Sequence, residues 1–86
     1  MVEIEYSSKF LRLLKKLPIT IQNLTQEREE IFLANPFDSR LGTHKLHGKD
    51  RNHWAYWVMR KIRVKFLFLN NNQVLCLEIG TRDNVY

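Results

Sequence analysis

Apolar and polar positions alternate from the start of the chain. In VEIEY (residues 2–6), Val2, Ile4 and Tyr6 point one way and Glu3 and Glu5 the other, which predicts a strand. The period then lengthens. Phe10, Leu13, Leu14 and Leu17 recur at i, i+3, i+4 and i+7, the apolar stripe of a helix, with Lys9, Arg12, Lys15 and Lys16 mostly off it. Ser7 or Ser8 supplies the N-cap, and Pro18 stops the helix. A second helix follows at once with Thr20 as its cap, although Asn23 three places on leaves the capping box incomplete. Ile21, Leu24, Ile31 and Phe32 form its buried stripe, and Asn35 and Pro36 close it. So short a gap makes the two helices an antiparallel hairpin, with the acidic residues 27–30 beside the basic first helix as surface pairs.

From Pro36 the period returns to two. THKLH (43–47) reads as a short strand ended by Gly48, and KDRN (49–52) as a polar loop. HWAYWVMR (53–60) and IRVKFLFL (62–69) are strands joined by a tight turn. NNNQ (70–73) is a hairpin turn whose asparagines tolerate positive φ, VLCLEI (74–79) is the last strand, and TRDNVY follows Gly80 as a tail. The order is β-α-α-β-β-β, an α+β domain spanning residues 1–86, with the helical hairpin packed on one face of a mainly antiparallel twisted sheet. Val64, Phe66 and Phe68 must face the helices, so Arg63, Lys65 and Leu67 face away. The same parity sends Leu75, Leu77 and Ile79 inward, and Val74, Cys76 and Glu78 outward. It sends Leu46 inward, and Lys45 and His47 outward. The bare face then gathers Lys45, His47, Arg63, Lys65 and Glu78, with Trp57 and Met59 nearby.

Composition narrows the class. With 86 residues, 44% of them apolar, the chain supports one small core and argues against disorder. No apolar run approaches a membrane span, and the opening MVEIEYSSKF lacks a signal peptide's apolar stretch, so no membrane is expected. The single cysteine, Cys76, excludes an internal disulfide and a multi-cysteine zinc site; it reads as a packing residue in a reducing cytoplasm. No P-loop, dinucleotide fingerprint, HExxH or nucleophile elbow is present. His44, His47 and His53 are spaced so that they do not share one strand face, so neither metal nor cofactor is expected.

Charge adds a direction. The net charge is +5. Residues 1–35 hold five basic and five acidic side chains, and residues 36–86 hold nine basic and four acidic, so the whole excess lies in the second part. A polyanion, whether RNA, DNA or an acidic protein segment, is the natural partner of such a face; a solvated basic surface kept for solubility is the alternative. Cations with aromatic rings between them suit a nucleic acid, since cations meet phosphates and rings stack on bases. Arg63, near a strand start, has the further option of pairing with Glu78 across the meander.

Three stretches resemble one family. FLRLLKKLP with NPFDSRLGTHKLHGK, WAYWVMRKIRVKFLF, and the ending VLCLEIGTRDNVY resemble, in the same order, segments of the RelE/ParE superfamily of bacterial toxins. They are most similar to its RelE/StbE and YafQ-like branch of ribosome-dependent mRNA interferases. The resemblance implies cleavage of mRNA in the ribosomal A site by attack of the RNA 2′-hydroxyl on the adjacent phosphate, leaving a 2′,3′-cyclic phosphate and a 5′-hydroxyl. It also implies an acidic antitoxin partner and toxin–antitoxin hetero-oligomers.

Carried over by position, Arg63 matches the arginine that binds the scissile phosphate and Arg82 a tail position assigned to transition-state charge or proton transfer. Tyr86 matches the C-terminal aromatic that stacks on or activates the nucleotide, and His44 a histidine of the YafQ-like members. Lys45, Lys49, Arg51, Lys65 and Trp57 would contact RNA. The chain departs from the pattern at three places. Ala55 and Trp57 stand where RelE has two lysines, and Arg82 stands where the nearer relatives have histidine. Arginine keeps its proton, whereas imidazole ordinarily titrates near pH 6.5, so proton transfer falls to His44 or His47. Two other outcomes stay open: a non-enzymatic ParE-like inhibitor of DNA gyrase, and a catalytically weak homologue that mainly binds its antitoxin.

Overall fold

The computed structural model describes residues 2–48 and 52–85. Five strands form one sheet: β1 (Glu3–Tyr6), β2 (His44–Lys45), β3 (Trp54–Met59), β4 (Ile62–Asn70) and β5 (Gln73–Thr81), in the order β1-β5-β4-β3-β2. β1 runs parallel to β5, and all other neighbours are antiparallel. Helices α1 (Ser8–Lys15) and α2 (Ile19–Ala34) follow β1, and a 3₁₀ turn (Ser39–Leu41) precedes β2. One helical turn, α3 (Arg82–Val85), follows β5. The expected α+β architecture is present. The short strand expected at 43–47 forms as the two-residue β2 at the sheet edge, a strand that the β-α-α-β-β-β order leaves uncounted, and the closing turn α3 is added.

Ser7 makes the change from strand to helix. Its N–H donates to the Cys76 carbonyl at 2.9 Å, continuing the β1–β5 pairing. Its hydroxyl accepts from the Phe10 N–H at 2.9 Å and donates to the Leu77 carbonyl at 2.8 Å. One side chain therefore caps α1 and ties it to β5 where β1 stops. Pro18, not Thr20, starts α2: its φ of −55° suits a helix entrance, and its carbonyl accepts from Ile21 and Gln22. A proline costs little there because the first helical N–H groups have no intrahelical partner.

The helix stripes bury as their periodicity requires. Phe10 and Phe32 are fully buried, with Leu13, Leu14, Leu17, Ile21, Leu24 and Ile31 packed around them. Phe32 stacks on Tyr56 with ring centroids 4.8 Å apart and meets Phe66 edge-on at 4.9 Å, which joins α2 to β3 and β4. The surface charges pair differently from the expectation. Lys9 bonds to Glu78 at 2.6 Å, and Glu29 accepts from the Tyr6 hydroxyl. The turn at residues 71–72 uses no positive φ; the Asn70 side chain accepts from the Asn72 N–H at 2.8 Å and closes it as an Asx turn.

Two parities are corrected. Directly opposed residues share a face of a sheet. Phe66 lies opposite Cys76 and Phe68 opposite Val74, so Val74 and Cys76, not Leu75 and Leu77, face the helices. The cause is a register shift: Lys65 pairs with Glu78 but Phe66 with Cys76, leaving Leu77 as an extra bulged residue. Past the bulge the expected phase returns, with Ile79 buried and Glu78 on the other face. At the edge, His44 lies opposite Ala55 and Lys45 opposite Trp54, which puts His44 on the face away from the helices and Lys45 on the helix side. Leu46 is buried but stands outside the cluster beneath the helices, as do Ala55 and Val85. The second face is therefore partly covered rather than bare.

Candidate functional site

The face away from α1 and α2 carries a grid set by the ladder. One row runs His44, Ala55, Lys65, Glu78, and the next runs Trp57, Arg63, Gly80. Strands about 4.8 Å apart put His44 and Arg63, two strands and two residues apart, at roughly 12 Å between Cα atoms. Ala55, between His44 and Lys65, is fully buried.

Arg63 is only 9% exposed, and two contacts offset the cost of burying its charge. Its Nη1 donates to the Arg60 carbonyl in the β3–β4 turn at 2.5 Å, and its Cζ lies 5.2 Å from the Trp57 ring centroid, a cation–π distance. Gly42 supports the indole in turn. It takes a left-handed φ of 57°, and a Cβ there would lie 2.8 Å from Trp57 Cδ2 and Cε3, so its backbone stands against the ring. Trp57, 43% exposed, therefore serves first to hold Arg63 and the Gly42 turn.

The Gly42 carbonyl lies 2.9 Å from His44 Nδ1. A carbonyl only accepts, so Nδ1 carries the proton and Nε2 is the basic nitrogen of the neutral ring. Lys65 is 9% exposed, and its ammonium donates to the Val85 carbonyl at 3.4 Å. That contact, with Val85 buried at 3% exposure, brings α3 back against β4 and β5. Arg82, exposed, begins this turn two residues beyond Gly80, the residue opposite Arg63.

The sequence candidates thus divide. Arg63, Trp57, His44 and Lys65 share one face, with Arg82 at its end. Lys45 lies on the helix side, among Asn52, Trp54 and Phe68. His47 is exposed beyond β2. Lys49, Arg51 and Tyr86 lie outside the described residues. Among the described residues no three His, Cys, Asp or Glu side chains converge as metal ligands would. Cys76 is buried in the core, and burial pushes its thiol pKa well up, which keeps it protonated and inert. Three arginines escaped the sequence reading: Arg28, Arg40 and Arg60 line a cleft of about 460 Å³ together with Arg63 and Trp57. Arg28 was hidden within an acidic helical stretch; what places it at the cleft is a bond from its Nε to the Val58 carbonyl at 3.2 Å.

No protein-family model and no curated protein matches the sequence. Solved structures do match. YafQ from E. coli strain BL21(DE3) superposes with a TM-score of 0.80 at 17% identity, over 100% of this chain and 99% of that one. The toxin–antitoxin complex RelBE2 from Mycobacterium tuberculosis gives a TM-score of 0.78 at 16% identity, over 94% of this chain and 98% of that one. The YoeB/ParE toxin from Agrobacterium tumefaciens gives 0.78 at 7% identity, over 94% and 99%. At these identities the likeness is one of fold alone.

Proposed function

We propose that this chain is the toxin of a toxin–antitoxin pair and that it cleaves ribosome-bound mRNA. The observation that carries this is Arg63, a guanidinium held by Trp57 and the Arg60 carbonyl on the face that also bears His44, with Arg82 beginning the turn at the end of that face. His44 Nε2 accepts the proton of the RNA 2′-hydroxyl. The 2′-oxygen bonds to phosphorus, the bond to the 5′-oxygen breaks, and that oxygen takes a proton from His47 or solvent. Arg63 and Arg82 stabilise the charge of the phosphorane, which preorganised donors do without reorganising during the reaction. Tyr86 stacks on the nucleotide. Lys65 contributes by holding the C-terminal turn, and Lys45, Lys49 and Arg51 meet RNA phosphates away from the scissile one. The antitoxin is acidic, in keeping with the +5 charge of this chain, and both act in the cytoplasm.

The test is induction of the chain alone, with mapping of mRNA ends and ribosome-bound cleavage for Arg63→Ala and Arg82→Ala. Loss of one charge-stabilising donor is expected to cost about 10²–10³ in rate. Full activity in both variants refutes the assignment. The resemblance also supports a second reading, because Ala55 and Trp57 stand where it places two lysines of RelE. A gyrase inhibitor of the ParE kind needs no such lysines, and blocked DNA supercoiling with intact mRNA would select it.

A further inference from the structure

The cleft beside Arg63 holds more positive charge than one phosphodiester requires. Its cations come from four parts of the chain: Arg28 from α2, Arg40 from the 3₁₀ turn, Arg60 from the β3–β4 turn and Arg63 from β4. Each is fixed. The ladder pairs Trp57 with Arg63 but Met59 with Ile62, so Val58 is a bulged residue, and its carbonyl takes Arg28 Nε. Arg40 meets Asp38 through two parallel bonds of 2.9 Å each, and Asp38 in turn accepts from the Arg40 N–H. Arg60 is placed by the turn whose carbonyl binds Arg63.

Asp38 offsets one of the four charges, and the remainder repel one another across a space of about 460 Å³. An anion with several oxygens relieves that repulsion. Guanidinium forks match phosphate bidentately, better than point charges do. Between the arginines the accessible apolar lining is Met59 and the Trp57 ring, Val58 being fully buried. A cationic rim above an apolar floor suits a nucleotide, with phosphate on the rim and the base or ribose on the floor.

We infer that this cleft is a second nucleotide subsite of the same surface: Arg63 holds one RNA phosphate, and Arg28, Arg40 and Arg60 hold the phosphate of the adjoining nucleotide, whose base rests on Met59. This rests on the RNA-binding function proposed above and extends it from one phosphate to a bound strand.

The probe is a fluorescent 2′-O-methyl pentanucleotide, which has no 2′-hydroxyl and binds without being cut. Anisotropy titrations over a salt series compare the parent with Arg40→Gln, Arg60→Gln and the double variant. Both side chains are exposed, and the Arg60 carbonyl that holds Arg63 survives the substitution. An unchanged melting temperature certifies the fold. Each phosphate contact to a single strand contributes about 0.7 to the slope of log K against log salt. The double variant is expected to lose about 0.7 of slope and about tenfold in affinity. An unchanged slope overturns the subsite. So does a parent chain that does not bind the oligonucleotide, or one that binds poly-glutamate as tightly with the same arginine dependence. Arginine-dependent oligonucleotide binding without mRNA cleavage keeps the subsite and sinks the nuclease; cleavage with an unchanged slope does the reverse.

Discussion

Replacing Gly42 by alanine tests how Arg63 is held. Two costs add. At φ 57° an L-residue loses about 1–2 kcal/mol relative to glycine. The new methyl also lies 2.8 Å from Trp57 Cδ2 and Cε3, closer than carbon atoms tolerate, so the indole must swing away. Forcing it off its rotamer costs about 0.5–1.5 kcal/mol, and loss of the Arg63 cation–π contact about 0.5–1 kcal/mol more. The sum is about 2–4.5 kcal/mol. For a domain of this size each kcal/mol moves the melting temperature by about 4–8 °C, so a drop of at least 8 °C is expected. Gly48→Ala is the control: its φ is 76°, but no atom lies within 4 Å of the added Cβ, so only the first cost applies. Urea titration of both variants and of Gly42→Ala in a Trp57→Ala background completes the comparison. Without the indole, the Gly42 substitution should cost no more than the Gly48 one. If Gly42→Ala and Gly48→Ala are equally destabilising in the parent, the indole contact is not what demands glycine.

Ser7→Ala removes a helix cap and the bond to the Leu77 carbonyl together, for an expected loss of about 2 kcal/mol in urea unfolding; a loss below about 0.5 kcal/mol contradicts the dual role. Cys76 should resist alkylation in the native protein and react only as the chain unfolds, so labelling faster than unfolding would place the thiol at the surface. Burial raises its pKa, so the folded state keeps a proton that the unfolded state releases. Stability from this group is therefore full below 9.0, the ordinary thiol value, and declines as pH rises beyond it, which chemical unfolding at pH 8 and pH 10 will read.

The two helices and the first strand were legible because their apolar residues recur at a single period, and Phe10 and Phe32 fall where that period puts them. VLCLEI was not. Val74 and Cys76 are as apolar as Leu75 and Leu77, so either phase reads as a buried face, and only the bulge at Leu77 decides. Lys45 was misplaced because a two-residue strand takes its register from its neighbour, not from its own pattern. Arg63 and Arg82 were read as candidates from the resemblance. Arg28, Arg40 and Arg60 were not, since what brings them to one cleft is carried by backbone carbonyls at a bulge and a turn, and by Asp38. Gly42 carried a signal that went unused: a lone glycine just before a short strand is a candidate for positive φ.

The parallel pairing of β1 with β5 has a consequence for synthesis. Glu3 finds its partner at Gln73, seventy residues later in the chain. At about 5–20 residues per second, β1 waits about 4–14 s after translation for a neighbour to exist. Loop-closure entropy opposes so distant a contact until the intervening meander has formed. Completion of the sheet is therefore a late event in the chain's birth, and the face bearing Arg63 is assembled only after β5 has emerged.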